Sequence, residues 1–324
     1  MLERIRVAVI GVGHLGEYHV QKYKSISGVD LVGVVDIDRE RALEIAHRYG
    51  TKPYFNHRDV LDKVDAVSCV VPTEAHFEVA KDILSCGIHM LIEKPITYHI
   101  EPADTLIKIA KDRGLILQVG LVERFNPAIV SLRRFLHAPI FMEAHRMNRF
   151  TKRGIDVDVV LDLMIHDLDI FLHLIPYKVK ELHSTGLSVI TDKTDIANVR
   201  MIFENGTVAN LTASRVSTKI LRKIRVFQKD MYLSANCYKR ELDIITLDSR
   251  KRDADGYPTL SAQKLSFPDS DPLMEEIRSF VDAVRTGNKP QVSGEDGRRA
   301  LKYALIIMDQ IREGCKEFKD IRSC

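Results

Sequence analysis

The sequence predicts an α/β protein: a doubly wound parallel sheet first, then an α+β domain with a large, mostly antiparallel open sheet. Three observations predict it. Up to residue 121, short β-branched runs alternate with helix-like stretches; a glycine-rich turn joins the first run to the first helix; and beyond 121, alternating runs succeed one another across turn sequences. Domains of 1–121 and 122–324 follow.

In chain order the first domain reads RVAVIGVG, GEYHVQKYKSI, LVGVVDID, RERALEIAHRYG, AVSCVVPT, HFEVAKDILSCG, MLIEKP, DTLIKIAKDRG and ILQVG. Strand and helix in strict alternation imply right-handed crossovers and a parallel sheet covered on both faces. Gly50, Gly87 and Gly114 each stand just past a helical run, where a left-handed residue ends a helix. In the second domain a helix around 157 to 174 precedes VKELHSTGLSV, IANVRMIFENG, TVANLTASRV, KIRVFQKD and MYLSANC, with ENGT and QKDM as hairpin turns. Two helices close the chain: DPLMEEIRSFVDAVRTG, opened by Asp271 and Pro272, and EDGRRALKYALIIMDQIREG.

Composition excludes several classes of function. With 45 % hydrophobic and 29 % charged residues the chain is an ordinary globular one, and 48 basic against 45 acidic side chains leave a net charge of only +3. That balance argues against general nucleic-acid or membrane binding, so any anion site is local. Five cysteines, scattered and without CxxC spacing, read as reduced thiols. MLERIRVAVIGVGHLG lacks a long apolar leader, and no run approaches eighteen apolar residues. A cytoplasmic location is expected.

GVGHLG, straight after a strand and straight before a helix, has the context that a dinucleotide fingerprint needs. Gly11 permits the tight turn, Gly13 admits a pyrophosphate to the backbone and Gly16 lets helix pack on strand, while His14 and Leu15 lie in the same turn, ahead of a helix whose amino-terminal N–H groups face the anion. Asp36 ends the next strand about twenty residues on, where a carboxylate accepts from a ribose diol and repels a 2′-phosphate. NAD is therefore expected over NADP, with Arg39 and Arg41 close enough to soften the preference. The alternative for Asp36 is a cap on the following helix.

MLIEKPIT puts Glu93, Lys94 and Pro95 at the carboxyl end of a buried strand, the edge at which open α/β sheets bind ligands. An ammonium there can hold a hydroxyl and stabilise developing alkoxide. In LDLMIHDLDI, helical spacing aligns Asp162, His166 and Asp169, with His173 a turn further, in an otherwise apolar segment. This stripe is either chemistry or a buried structural network. No HExxH or cysteine partner accompanies it, so no metal is expected.

These pieces together resemble the glucose-fructose oxidoreductase, inositol dehydrogenase and rhizopine-catabolism group of NAD(P)-dependent sugar oxidoreductases. The matching segments are GVGHLG at 11–16, VPTEAHFEVA at 71–80, EKPI at 93–96, VGLVERFNP at 119–127, DLMIH at 162–166 and the tail PLMEEIRSFVDAVRTGNKPQVSGEDGRRAL. The resemblance implies a Rossmann domain for NAD. It also implies that Lys94 and His166 work together at the nicotinamide, with His166 the general base, Lys94 orienting the sugar hydroxyl, and Asp162 holding substrate or ribose or orienting the imidazole. Thr73, His76 and Glu93 match the family's cofactor loops. Asn126, with Pro127, is a hinge or cofactor contact.

Ahead of the catalytic helix, HRMNRFTKRGIDVDVV carries Arg146, Arg149, Lys152 and Arg153 in a stretch read as a basic loop. Relatives often have a glycine-rich segment there. Arginine forks suit a diphosphate, which makes Arg149 and Arg153 candidate substrate ligands beside Lys94, Asp162 and His166; the alternative is a solvated basic loop. ERFNP, NRFTKRG and DVDVVLDLMIHDLDI are most similar to bacterial enzymes that oxidise the 3-hydroxyl of UDP-N-acetylglucosamine on the route to a 3-amino sugar of lipid A, which implies an aminotransferase partner. A free-polyol dehydrogenase such as one for inositol, and an NAD-binding sensor without turnover, are the competing functions. Half-covered strands such as MIFENG and VANLTA predict a homo-oligomer, dimer or tetramer.

Overall fold

The computed structural model describes residues 4–151 and 157–322. Its elements run β1 (Ile5–Ile10), α1 (His14–Ser25), β2 (Val29–Val35), α2 (Arg39–Tyr49), β3 (Lys52–Tyr54), β4 (Ala66–Cys69), α3 (Thr73–Ser85), β5 (His89–Glu93), α4 (Ile100–Asp112) and β6 (Leu117–Gly120). There follow α5 (Pro127–Phe135), β7 (Phe141–Met147), α6 (Ile165–Leu174), β8 (Val179–Leu187), β9 (Ile196–Phe203), β10 (Val208–Ser214), β11 (Leu221–Phe227), β12 (Met231–Asn236), β13 (Glu241–Arg252) and β14 (Pro258–Ser266). Helices α7 (Pro272–Thr286) and α8 (Gly294–Arg322) close the chain.

The first sheet is wholly parallel, in the order β3-β2-β1-β4-β5-β6. The order reverses between β1 and β4, and the carboxyl ends of strands beside such a switch open a crevice for ligand. The strands are buried on both faces, Val7, Val9, Val67, Leu91 and Ile92 all fully, as covering by helices on each side requires. The helix stops occur as expected for Gly50, whose left-handed backbone caps α2.

The contacts divide the chain into one unit of the described residues up to Val122 with Asp271–Leu301, and a second of Glu123–Ser270 with residues from Lys302 on. A single boundary at 121 therefore does not describe the chain. The closing segment returns to the first unit because α7 turns Ile277, Phe280 and Val281 into the same core as Val7, Val9, Val20 and Tyr23. Each large side chain buried there contributes roughly 1.5–3 kcal/mol.

The second sheet has eight strands, β14-β13-β12-β11-β7-β10-β9-β8. All pairs are antiparallel except β7 with β10, which are parallel. ENGT and QKDM make the hairpins β9–β10 and β11–β12, but β10 and β11 are not neighbours, since β7 lies between them. His145–Met147, the start of the stretch expected to be a basic loop, instead ends strand β7: Met142, Ala144 and Arg146 face inward, and the alternation is hidden because one inward residue is an arginine. Lys152 and Arg153 lie outside the described residues.

Candidate active site

The turn after β1 is built for close approach of backbone. Gly11 has φ +83°, and a Cβ there would meet Val70 O at 2.6 Å; one on Gly16 would lie 1.9 Å from Gly11 O. At Gly13 a Cβ would meet nothing within 4 Å, and no side chain caps α1. The first-turn N–H groups, from exposed His14 and Leu15 onward, thus border open space that an anion fits. His14 packs edge-on against Tyr18, with ring centroids 5.1 Å apart.

Asp36 closes the turn from the second strand. Its Oδ2 accepts from Val12 N at 2.8 Å and its Oδ1 from Asp38 N at 3.0 Å. The cap on α2 is Asp38, which accepts from Glu40 N and Arg41 N, so capping is not the work of Asp36. Arg41 donates to Val12 O, Glu44 and Glu17 at 2.7–2.8 Å and is held in place by them. Arg39 lies 4.7 Å over the Phe55 ring. Ile37, directly after Asp36, is 93 % exposed.

On the other side of the switch, Thr73 begins α3 and is half-buried. His76, one turn later, is buried with its ring spanning two carbonyls, Pro95 O at 2.9 Å and Val71 O at 3.0 Å. Burial outweighs those carbonyls and lowers its pKa. His76 therefore ties the loop after β4 to the turn that follows the lysine. Lys94, half-buried, stands at the end of β5, its peptide to Pro95 cis. Glu93 turns inward: its carboxylate lies 3.3 Å from His19 Nε2 and accepts from Lys94 N at 3.3 Å. Gly120 lies against it: a Cβ there would be 2.6 Å from Glu93 Oε1, and the carboxylate would have to shift. Behind it His19 Nδ1 meets Ser68 Oγ at 3.1 Å and Ser68 Oγ meets Tyr23 OH at 2.8 Å, a buried polar chain with no counterpart in the sequence reading.

In the second unit a π-helical turn, Val160–Met164, leads into α6. Such turns insert one residue into a helix and are concentrated at functional sites. Asp162, His166 and His173 are half-buried, whereas Asp169 is buried and leaves the stripe. Arg124 grips Asp169 through Nε and Nη2, both at 2.7 Å. Arg146 grips Asp167 at 2.9 and 2.7 Å and reaches Glu123 at 2.8 Å. Arg146 is thus no free loop cation; it is buried and committed to two carboxylates. Burial raises Asp167; at Glu123 burial acts the same way but Arg146 and Arg222 outweigh it, and the carboxyl falls below its usual value.

Asn126 caps α5 by accepting from Ala128 N at 3.1 Å, and donates to Glu123 at 3.0 Å and Cys237 O at 2.9 Å. It is buried in the second unit's own structure. Arg149 is exposed, its Nε donating to Thr218 O at 3.0 Å. Arg153 lies outside the described residues. Lys94 belongs to the first unit and Asp162 and His166 to the second. Among the described residues no group of three or more His, Cys, Asp or Glu could hold a metal ion, and no helix is long and apolar enough to cross a membrane.

Two family models match the chain: an oxidoreductase family with an NAD-binding Rossmann fold over residues 5–121, and a GFO/IDH/MocA C-terminal domain over 129–230. The chain is 40 % identical to UDP-N-acetylglucosamine 3-dehydrogenase of Acidithiobacillus ferrooxidans over 94 % of this chain and 96 % of that one. A solved structure of that enzyme superposes with a TM-score of 0.87 at 39 % identity, covering 95 % of this chain and 98 % of that one. Myo-inositol 2-dehydrogenase of Thermotoga maritima is 26 % identical over 95 % and 97 % of the two chains.

Proposed function

The chain belongs to the GFO/IDH/MocA family of oxidoreductases, and from that premise we propose that it is an NAD-dependent dehydrogenase oxidising the 3-hydroxyl of UDP-N-acetylglucosamine to the 3-keto sugar nucleotide. The observation that carries the reading is the likeness to the Acidithiobacillus enzyme, which runs through both units.

NAD, when bound, supplies the hydride acceptor. The open Gly13 and the uncapped start of α1 hold its pyrophosphate, and Asp36 accepts from the adenosine ribose. Asp36 also favours NAD over NADP: a 2′-phosphate would meet its carboxylate, and Arg41 is already engaged by Glu17 and Glu44. Lys94 donates a hydrogen bond to the substrate's 3-oxygen and stabilises the charge that grows there. His166 takes the hydroxyl proton as the hydrogen on C3 departs with its electron pair, leaving a carbonyl. Asp162 orients the imidazole or the sugar. Arg149 and Arg153 pair with the diphosphate.

The product is a ketone suited to reductive amination, so an aminotransferase that consumes it is the expected next enzyme, in a pathway toward an amino sugar of lipid A. The reaction draws on cytoplasmic NAD and UDP-sugar, in keeping with the free thiols of Cys69, Cys86 and Cys237. The protein acts as a homo-oligomer joined through the open sheet face. There Phe141, Phe227 and Tyr232 form a half-exposed aromatic row with centroids 5.5 and 5.0 Å apart.

The test is NADH formation with NAD and a panel of UDP-sugars and free polyols, with hydroxylamine to trap ketone. Turnover confined to UDP-N-acetylglucosamine and lost in Lys94→Ala and His166→Ala is expected. Turnover of inositol alone would favour a polyol dehydrogenase, and tight NAD binding without any turnover a sensor.

A further inference from the structure

The two arginine forks under α6 are placed on either side of His166. A helix advances about 100° per residue, so Asp167 leaves α6 about 100° to one side of His166 and Asp169 about 60° to the other. Arg146 from β7 holds the first and Arg124 from the 3-10 turn Val122–Phe125 holds the second, each by two N–H donors at 2.7–2.9 Å. All four side chains are at most 4 % exposed. Rotation of α6 in either direction pulls one carboxylate off its arginine.

The turn before α6 is π-helical, an irregularity at the head of the helix that carries His166. Apolar packing would stabilise the fold as well as a buried ion pair does, but it lacks the directional hold of a bidentate fork. We propose that Arg124 and Arg146, through Asp169 and Asp167, are positioning residues that fix the rotation of α6 and so aim the His166 imidazole. Neither arginine needs to touch substrate. This rests on the reading of His166 as the base. Glu123 completes the mount: it accepts from Arg146 and Asn126 and lies 3.7 Å from Arg222, which keeps Arg146 at the Asp167 side of the helix.

The experiment replaces direction while keeping volume. In Arg124→Met with Asp169→Leu both charges leave together, and in Arg124→Lys the charge stays but the fork is lost. The readouts are kcat with UDP-N-acetylglucosamine, the KM for NAD, and the His166 imidazole resonance in full-length protein carrying labelled histidine, with His57 of the first unit as reference. Expected for whichever variant folds are a kcat at least tenfold lower, a KM for NAD within twofold, a displaced His166 resonance and an unmoved His57. A folded variant with wild-type kcat or an unmoved His166 resonance overturns the proposal. If the wild-type protein turns over no sugar, the function proposed above fails, and the His166 resonance alone decides the positioning role.

Discussion

Glu276→Gln should make the protein more stable, and increasingly so as pH rises. Glu276 lies on α7, fully buried, and neither carboxyl oxygen has a hydrogen-bond partner among the described residues. Burial, with the Glu93 carboxylate nearby, raises its pKa well above 4.5. The native state thus keeps a proton that the unfolded chain releases. Stability is fully present below the unfolded pKa, and it falls by about 1.4 kcal/mol for each pH unit above it until the native pKa is reached. Glutamine has the shape of the neutral acid and does not titrate, so the variant escapes this loss. Its advantage over wild type should therefore grow as pH rises above the unfolded value, by at most about 1.4 kcal/mol for each pH unit. Urea unfolding of both proteins at pH 5, 6 and 7 measures the difference. A difference that does not change with pH, or a wild type that gains on the variant toward pH 7, would refute the reasoning.

Gly13→Ala should leave stability unchanged, because its Cβ meets nothing, yet weaken NAD at least tenfold, about 1.4 kcal/mol, by filling the space of the pyrophosphate. Gly16→Ala should instead cost about 3 kcal/mol of stability, since the Cβ would press on Gly11 O. Unfolding and NADH-fluorescence titrations separate the two, and equal effects on both properties would contradict the assignment. Asp36→Ser should move the ratio of NADP to NAD affinity at least tenfold toward NADP, about 1.4 kcal/mol, while loosening the turn through loss of the Val12 and Asp38 contacts. An unchanged ratio would confine Asp36 to holding the turn.

Local patterns made most of the first sheet readable: strand, glycines and helix follow within 25 residues of one another, and every strand but the three-residue β3, KPY, is apolar enough to be recognised alone. The second sheet was less legible. β7 hides its alternation behind inward-facing Arg146, and β13 and β14, ELDIITLDSRKR and PTLSAQKLS, carry too many polar residues to look like strands. The candidates Lys94, Asp162 and His166 were legible from short motifs. Their supports were not, because Arg124 and Asp169 stand 45 residues apart and Arg146 and Asp167 stand 21 apart, and no local spacing links a cation to an anion at such separations. Glu276 was within reach: it occupies the helical face of Leu273, Ile277 and Phe280, where an acid is out of place and must be buried.

We propose that the hydride transferred to the nicotinamide is the hydrogen on C3 of a nucleotide sugar. This is tested most directly by incubating the protein with NAD and UDP-N-acetylglucosamine carrying deuterium at C3 and analysing the reduced cofactor by mass spectrometry. One deuterium in each NADH formed and a turnover slowed by the heavier atom are expected. NADH formed without deuterium, or no NADH from this substrate under conditions where inositol is oxidised, would contradict the proposal.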